Sequence, residues 1–249
     1  MRSRLYTKED LYRFLSSLES STEDSLTVYV NPASFPNYVD TLAPGEKYTG
    51  QVAEIQQAVR TDDVADNAGK YGTGAAIFWS ELGKQIVLPP FPITVNRILQ
   101  GKPHTAILYE VLDRKYLICV VMVTWGRYAL GMFEGATFIE CKIGTGYIHK
   151  EHRKGGRSQK RFARRTEEQK KDFLRRIGNR IEERFGGYLP DYIFFGGNRL
   201  ILKPLIQESR YLQTRTDIIS PRILNTRYAN REALAGSLSE INKSLVFTF

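Results

Sequence analysis

Eight cations crowd one short segment of this chain around a single neutral amide. Lys150, Arg153, Lys154, Arg157, Lys160, Arg161, Arg164 and Arg165 share residues 150–165 with one acid, Glu151. Among them sit Gly155-Gly156 and Gln159, in the string "KGGRSQKRFARR". A glutamine side chain has no useful pKa, so it does not act as a general base; it donates hydrogen bonds or orders a water. Glycines let a backbone enter a narrow cavity and adopt positive φ. Unscreened cations repel one another unless an anionic surface faces them, and phosphates do this in nucleic acids. These residue types together suit an insertion loop that carries an amide into an RNA cavity.

Other chemistries lack their residues. His104, His149 and His152 have no cysteine or carboxylate at metal-ligand spacing, so neither a metal site nor a cofactor is expected. "GTGYIHK" (144–150) lacks phosphate-loop spacing. No Ser-His-Asp constellation emerges from sequence order. Cys119 and Cys141 lie in apolar, strand-like runs and read as reduced core thiols.

The elements that must hold the segment are legible around it. Strands are expected at 104–112, 115–123, 127–133 and 137–143, with turns at Asp113-Arg114 and Trp125-Gly126. After the basic segment, Thr166-Glu167-Glu168-Gln169 has the form of a capping box that opens a helix. That helix carries Phe173, Ile177, Ile181 and Phe185 on one face and stops at Gly186-Gly187. A strand at 192–197, a short helix at 203–209, a strand at 217–220 and a last helix follow. Asn230 caps the last helix, with Leu234, Leu238, Ile241 and Leu245 on one face. Upstream, Thr7 caps a helix bearing Leu11, Phe14, Leu15 and Leu18, and a second helix spans 49–60. Strands are expected at 26–30, 74–80 and 84–90, and a loop at 35–48.

The fold class this predicts is α/β (α+β) in two domains: a small N-terminal α/β unit over 1–92, a linker over 93–103 opened by "PPFP", and a mixed sheet with packed helices over 104–249. Of 249 residues, 42% are apolar and 12% aromatic, enough for packed cores. The net charge is +9, and residues 150–184 hold fourteen Lys or Arg against six Asp or Glu, so nearly the whole excess lies there. Within 167–184 acids and bases interleave as on a solvated helix face; within 150–165 they do not. With no apolar run long enough for a membrane span and no apolar signal core, a soluble cytoplasmic protein without a membrane partner is expected.

The segment "HRKGGRSQKRFARR", followed by "EEQ" and a long helix, resembles the central domain of eukaryotic and archaeal class 1 release factors. It is closer still to the Vms-like release factors, peptidyl-tRNA hydrolases of ribosome quality control. Gly155-Gly156 match the glycine pair, Gln159 the glutamine, and Arg161-Phe162 the Arg-Phe that leads to the helix. Two residues separate Gly156 from Gln159, whereas the release-factor motif has none. The resemblance covers about 104–249. It implies a central-domain-like fold and ribosome-dependent ester hydrolysis, with a catalytic set of Gln159, Gly155, Gly156 and Ser158. The implied partners are the RNA of the large ribosomal subunit and peptidyl-tRNA, met by a monomer. The first ninety residues do not resemble a stop-codon-reading domain, so the expected activity is codon-independent rescue. A non-catalytic RNA-binding factor and a metal-independent ribonuclease are the alternatives.

Overall fold

A computed structural model of the chain describes residues 1–43, 45–148 and 157–249, without the side chains of 157–160 and 162. The chain forms two compact units, Met1–Arg114 with Ser239–Phe249, and Lys115–Leu238. The boundary therefore falls later than the proline-rich break suggests, and the end of the chain returns to the first unit.

The first unit is built on β1 (Arg2–Tyr6), β2 (Ser25–Val30), β3 (Ala75–Trp79), β4 (Lys84–Leu88), β5 (Arg97–Gly101) and a late strand, here β11 (Ser244–Thr248). Their order is β1-β11-β4-β3-β2-β5, antiparallel throughout. Both faces are covered, so the inner strands are apolar without alternation. Val28, Ile77 and Phe247 point to one core, shared with α2 (Thr49–Ala58) and α3 (Asp62–Tyr71). Tyr29, Phe78 and Val246 point to the other, shared with α1 (Lys8–Glu19) and α4 (Ala106–Asp113). Thr7 caps α1 as its sequence predicts, in a capping box with Asp10.

The expected strand over 104–112 is α4, an apolar segment whose Leu108, Val111 and Leu112 are buried at helical spacing. Leu245, read as continuing the last helix, lies in β11 opposite Leu88 and Leu5.

The second unit is a mixed sheet in the order β10-β9-β6-β7-β8. β6 (Leu117–Thr124), β7 (Arg127–Glu134) and β8 (Thr137–Thr145) form an antiparallel meander. β9 (Tyr192–Gly197) runs parallel to β6, and β10 (Ile219–Leu224) runs parallel to β9. The β8-to-β9 crossover carries α5 (Arg157–Phe185); α6 (Arg199–Glu208) and α7 (Arg210–Gln213) pack beside it on the same face. On β7, Leu130 and Met132 join that core. Gly131, between them, faces Leu234 of α8 (Arg231–Ile241) on the opposite face.

Candidate nucleic-acid interface

The long helix α5 carries the candidate glutamine. Phe173, Leu174, Ile177, Ile181 and Phe185 form one buried stripe on the sheet. Gly178 lies in the same stretch where the helix meets the end of α6. A Cβ there would stand 2.5 Å from the Glu208 carbonyl oxygen and 3.1 Å from the Ser209 Cα. The absence of a side chain at 178 lets two backbones touch.

The helix begins nine residues before the capping-box signal, at Arg157 rather than Thr166. Thr166 is buried within the helix, not at its end. The signal misleads because a capping box marks only a possible start, and helix propagation upstream overrides it. Arg157, Ser158, Gln159 and Lys160 therefore form the first turn. Lys150, Arg153, Lys154, Gly155 and Gly156 lie outside the described residues, as do His149 and His152. Arg161, Arg164 and Arg165 are exposed on the next two turns.

Ten residues from Arg157 to Thr166 include no acid. From Glu167 onward most cations are matched: Lys170 with Glu167 at 2.7 Å, Arg175 with Asp172 at 2.6 Å, Lys171 with Glu208 at 3.8 Å, and Arg184 with Glu140 on β8 at 3.2 Å. Arg164 reaches forward to Glu168 at 3.1 Å. A helix N-terminus carries partial positive charge, and cations placed there cost about 0.3–1 kcal/mol each when exposed. Arg157, Lys160 and Arg161 occupy that disfavoured end. An anion brought to this turn would relieve both the dipole and the mutual repulsion.

The approach to the segment is pinned by glycines under aromatic rings. Gly144 pairs with Tyr128, and a Cβ at 144 would stand 2.2 Å from the Tyr128 ring. A Cβ at Gly146 would stand 2.4 Å from the Phe173 ring and 3.3 Å from the Arg176 guanidinium. The Gly146 N–H donates to the Gly126 carbonyl at 2.9 Å, tying the β6–β7 turn to the end of β8. In that turn Gly126 has φ of +86°. Lys170 stands 5.3 Å over the ring of Trp125.

A model of the Actinobacteria/chloroflexi VLRF1 release factor family matches residues 116–246. The chain belongs to this release-factor family. The match takes in β6 through α8 and so includes the basic segment, Gln159 and the helix that carries it. As a release-factor-like protein, the chain also aligns with peptide chain release factor subunit 1 of Aeropyrum pernix, 24% identical over 162 residues. That alignment covers 62% of the chain and 43% of the relative, so the chain spans less than half the relative's length. Among solved structures, the archaeal translation termination factor aRF1 matches at a TM-score of 0.40 and 19% identity, over 94% of this chain and 70% of that one. Archaeoglobus fulgidus Pelota matches at 0.33 and 7%, over 96% and 61%.

Sequence reasoning missed Trp125 and Lys170, seeing in the first only a turn residue. A tryptophan placed in a tight polar turn, where no core needs it, is the signal available. Cys119 is fully buried and its thiol pKa is pushed up by desolvation, as a core thiol's should be. Among the described residues no three His, Cys, Asp or Glu gather as metal ligands, and no helix is long and apolar enough to cross a membrane.

Proposed function

We propose that this release-factor family member hydrolyses the ester between a nascent peptide and its tRNA on the large ribosomal subunit, without reading a codon. One observation carries the reading: Gln159 stands in the acid-free first turn of α5, separated in sequence by two residues from the Gly155-Gly156 pair, in a chain of this family. Water adds to the ester carbonyl carbon, the bond from that carbon to the tRNA ribose oxygen breaks, and the ribose hydroxyl leaves with a proton derived from the water. The chain's part is to position and stabilise. The first N–H groups of a helix have no intrahelical acceptor, so the turn holding Gln159 offers backbone donors as well as a side-chain amide. Donors aimed at a developing oxyanion contribute about 2.7–4 kcal/mol each. Arg161, Arg164 and Arg165, with Lys150, Arg153, Lys154, Arg157 and Lys160, hold RNA phosphates and fix the depth of insertion. Gly155 and Gly156 permit close approach of the backbone to RNA, and Ser158 supplies a further hydroxyl beside the glutamine.

The test is peptide release from peptidyl-tRNA on purified large subunits. Gln159→Ala should leave subunit binding within a few-fold of wild type while release falls about 10²-fold or more. Unchanged release would remove Gln159 from catalysis. Binding without any release by the wild type would favour a docking factor, and cleaved RNA would favour a nuclease.

A further inference from the structure

A second feature of the same unit lies beside the basic helix and has no part in ester chemistry. Trp125 is 38% exposed at the β6–β7 turn, and Tyr147 is 73% exposed just beyond β8. The Gly146 N–H bond to the Gly126 carbonyl joins the residue after Trp125 to the residue before Tyr147, so the two aromatic residues flank one backbone contact. Two large exposed aromatic residues thus stand next to the bonded pair, one in the β6–β7 turn and one just past β8. Cations flank them: Lys170 over the Trp125 ring at 5.3 Å, and the exposed Arg176 with its guanidinium beside Gly146. Exposed Arg127 follows the turn. Glu167, bonded to Lys170 at 2.7 Å, is the facing acid.

Rings in a core need no cations, and a solvated turn needs no tryptophan. Aromatic faces interleaved with cations are the chemistry that receives unpaired nucleotides, with bases on the rings and phosphates on the charges. Gly126 and Gly146 let the turn and the segment after β8 approach closely, because a Cβ at 126 would stand 3.1 Å from the Gly146 carbonyl. From these contacts we infer that Trp125 and Tyr147 form a stacking platform for an unpaired nucleotide of single-stranded RNA, with Lys170 and Arg176 on its phosphates. The inference extends the proposed RNA partner to a defined subsite; it assigns no role in hydrolysis.

The chain has two tryptophans, and the other, Trp79, is 2% exposed, so quenching of emission by a ligand reports Trp125. The probes are an unstructured oligouridine and an oligonucleotide ending in CCA, mixed with the full chain at low salt. Quenching is read for the wild type, and the anisotropy of a dye on the oligonucleotide is read for all variants. Saturable quenching is expected, with Trp125→Ala weakening oligonucleotide binding about 5- to 150-fold, the range for losing one stacked base, while Trp125→Phe retains most of the affinity. Tighter binding of the CCA oligonucleotide would assign the platform to the tRNA end, and equal binding would assign it to any single strand. Absence of quenching, unchanged affinity of Trp125→Ala, or equal quenching by polyglutamate would overturn the platform. The proposed hydrolysis is judged separately, by peptide release from wild type and Gln159→Ala, so either reading can fail alone.

Discussion

Gly178→Ala sets two effects of known size against each other. In a helix interior, alanine in place of glycine gains about 1 kcal/mol in propensity. At 178 the new methyl would also meet the Glu208 carbonyl oxygen at 2.5 Å and the Ser209 Cα at 3.1 Å, both backbone atoms. Ser209 is buried and caps α7, its hydroxyl accepting from the Leu212 N–H at 3.4 Å, so this backbone has little freedom to retreat. Overpacking of this kind costs about 1–3 kcal/mol. The paired control is Gly236→Ala in α8, where a Cβ meets nothing within 4 Å. Both substitutions share the propensity gain, so their difference isolates the steric cost. Gly236→Ala should raise stability by about 1 kcal/mol. Gly178→Ala should fall about 1–3 kcal/mol below it, a gap of roughly 2–12 °C in melting temperature for a chain of this size. Trp125 lies in the same unit as Gly178, so the loss should appear in the Trp125 emission transition. Equal melting of the two variants would refute the close approach of α5 to the α6–α7 junction.

Charge reversal at Arg157, Lys160 and Arg164 should weaken large-subunit binding and flatten its salt dependence. If the eight cations of 150–165 all meet phosphates, wild-type affinity should drop about 10³- to 10⁵-fold between roughly 50 and 200 mM salt, and a flat response would exclude phosphate contact. Glu54 accepts from Lys84 and from the Trp79 indole, each at 2.7 Å, and these bonds lower its pKa below 4.5. Its folded value lies below its unfolded one, so the stabilisation is full above about pH 4.5 and is lost as pH falls through the folded value. Glu54→Gln should flatten that acid limb in a Trp79-monitored titration; an unchanged limb would place the acid sensitivity elsewhere. A chain cut after residue 103 lacks β11 between β1 and β4 and should not give a monomeric, cooperatively melting domain, as measured by size exclusion and thermal circular dichroism.

Much of the architecture could be read from pattern because its signals are local. Thr7 with Asp10, the Phe173-Ile177-Ile181-Phe185 stripe and the meander over 115–143 each satisfy a rule within a few residues. Failures came where partners are distant. The run "AILYEVL" is apolar enough for either a buried strand or a helix, and only packing against α1 and the sheet decides for α4. β1, "RSRLY", is an exposed edge strand whose pairing with β11 no alternation announces. α3 and β5 are likewise unmarked, the first polar apart from Val64, Ala65, Ala68 and Tyr71, the second only half-buried at an edge. For the site, residue type located the basic segment and Gln159, whereas the Trp125–Lys170 contact joins residues 45 positions apart and needed the fold.

The placement of β11 also sets a timetable for the birth of the molecule. β4 leaves synthesis with one flank open, and the strand that closes it follows roughly 150 residues later, about 8–30 s at ordinary elongation speeds. During that interval the first sheet is unfinished and the whole of the second unit is made, free to fold as a unit. An open, apolar β4 edge invites other strands, including those of neighbouring nascent chains. Slower elongation across the second unit should therefore lengthen the wait and lower the yield of soluble protein, even though every residue of the finished chain is the same.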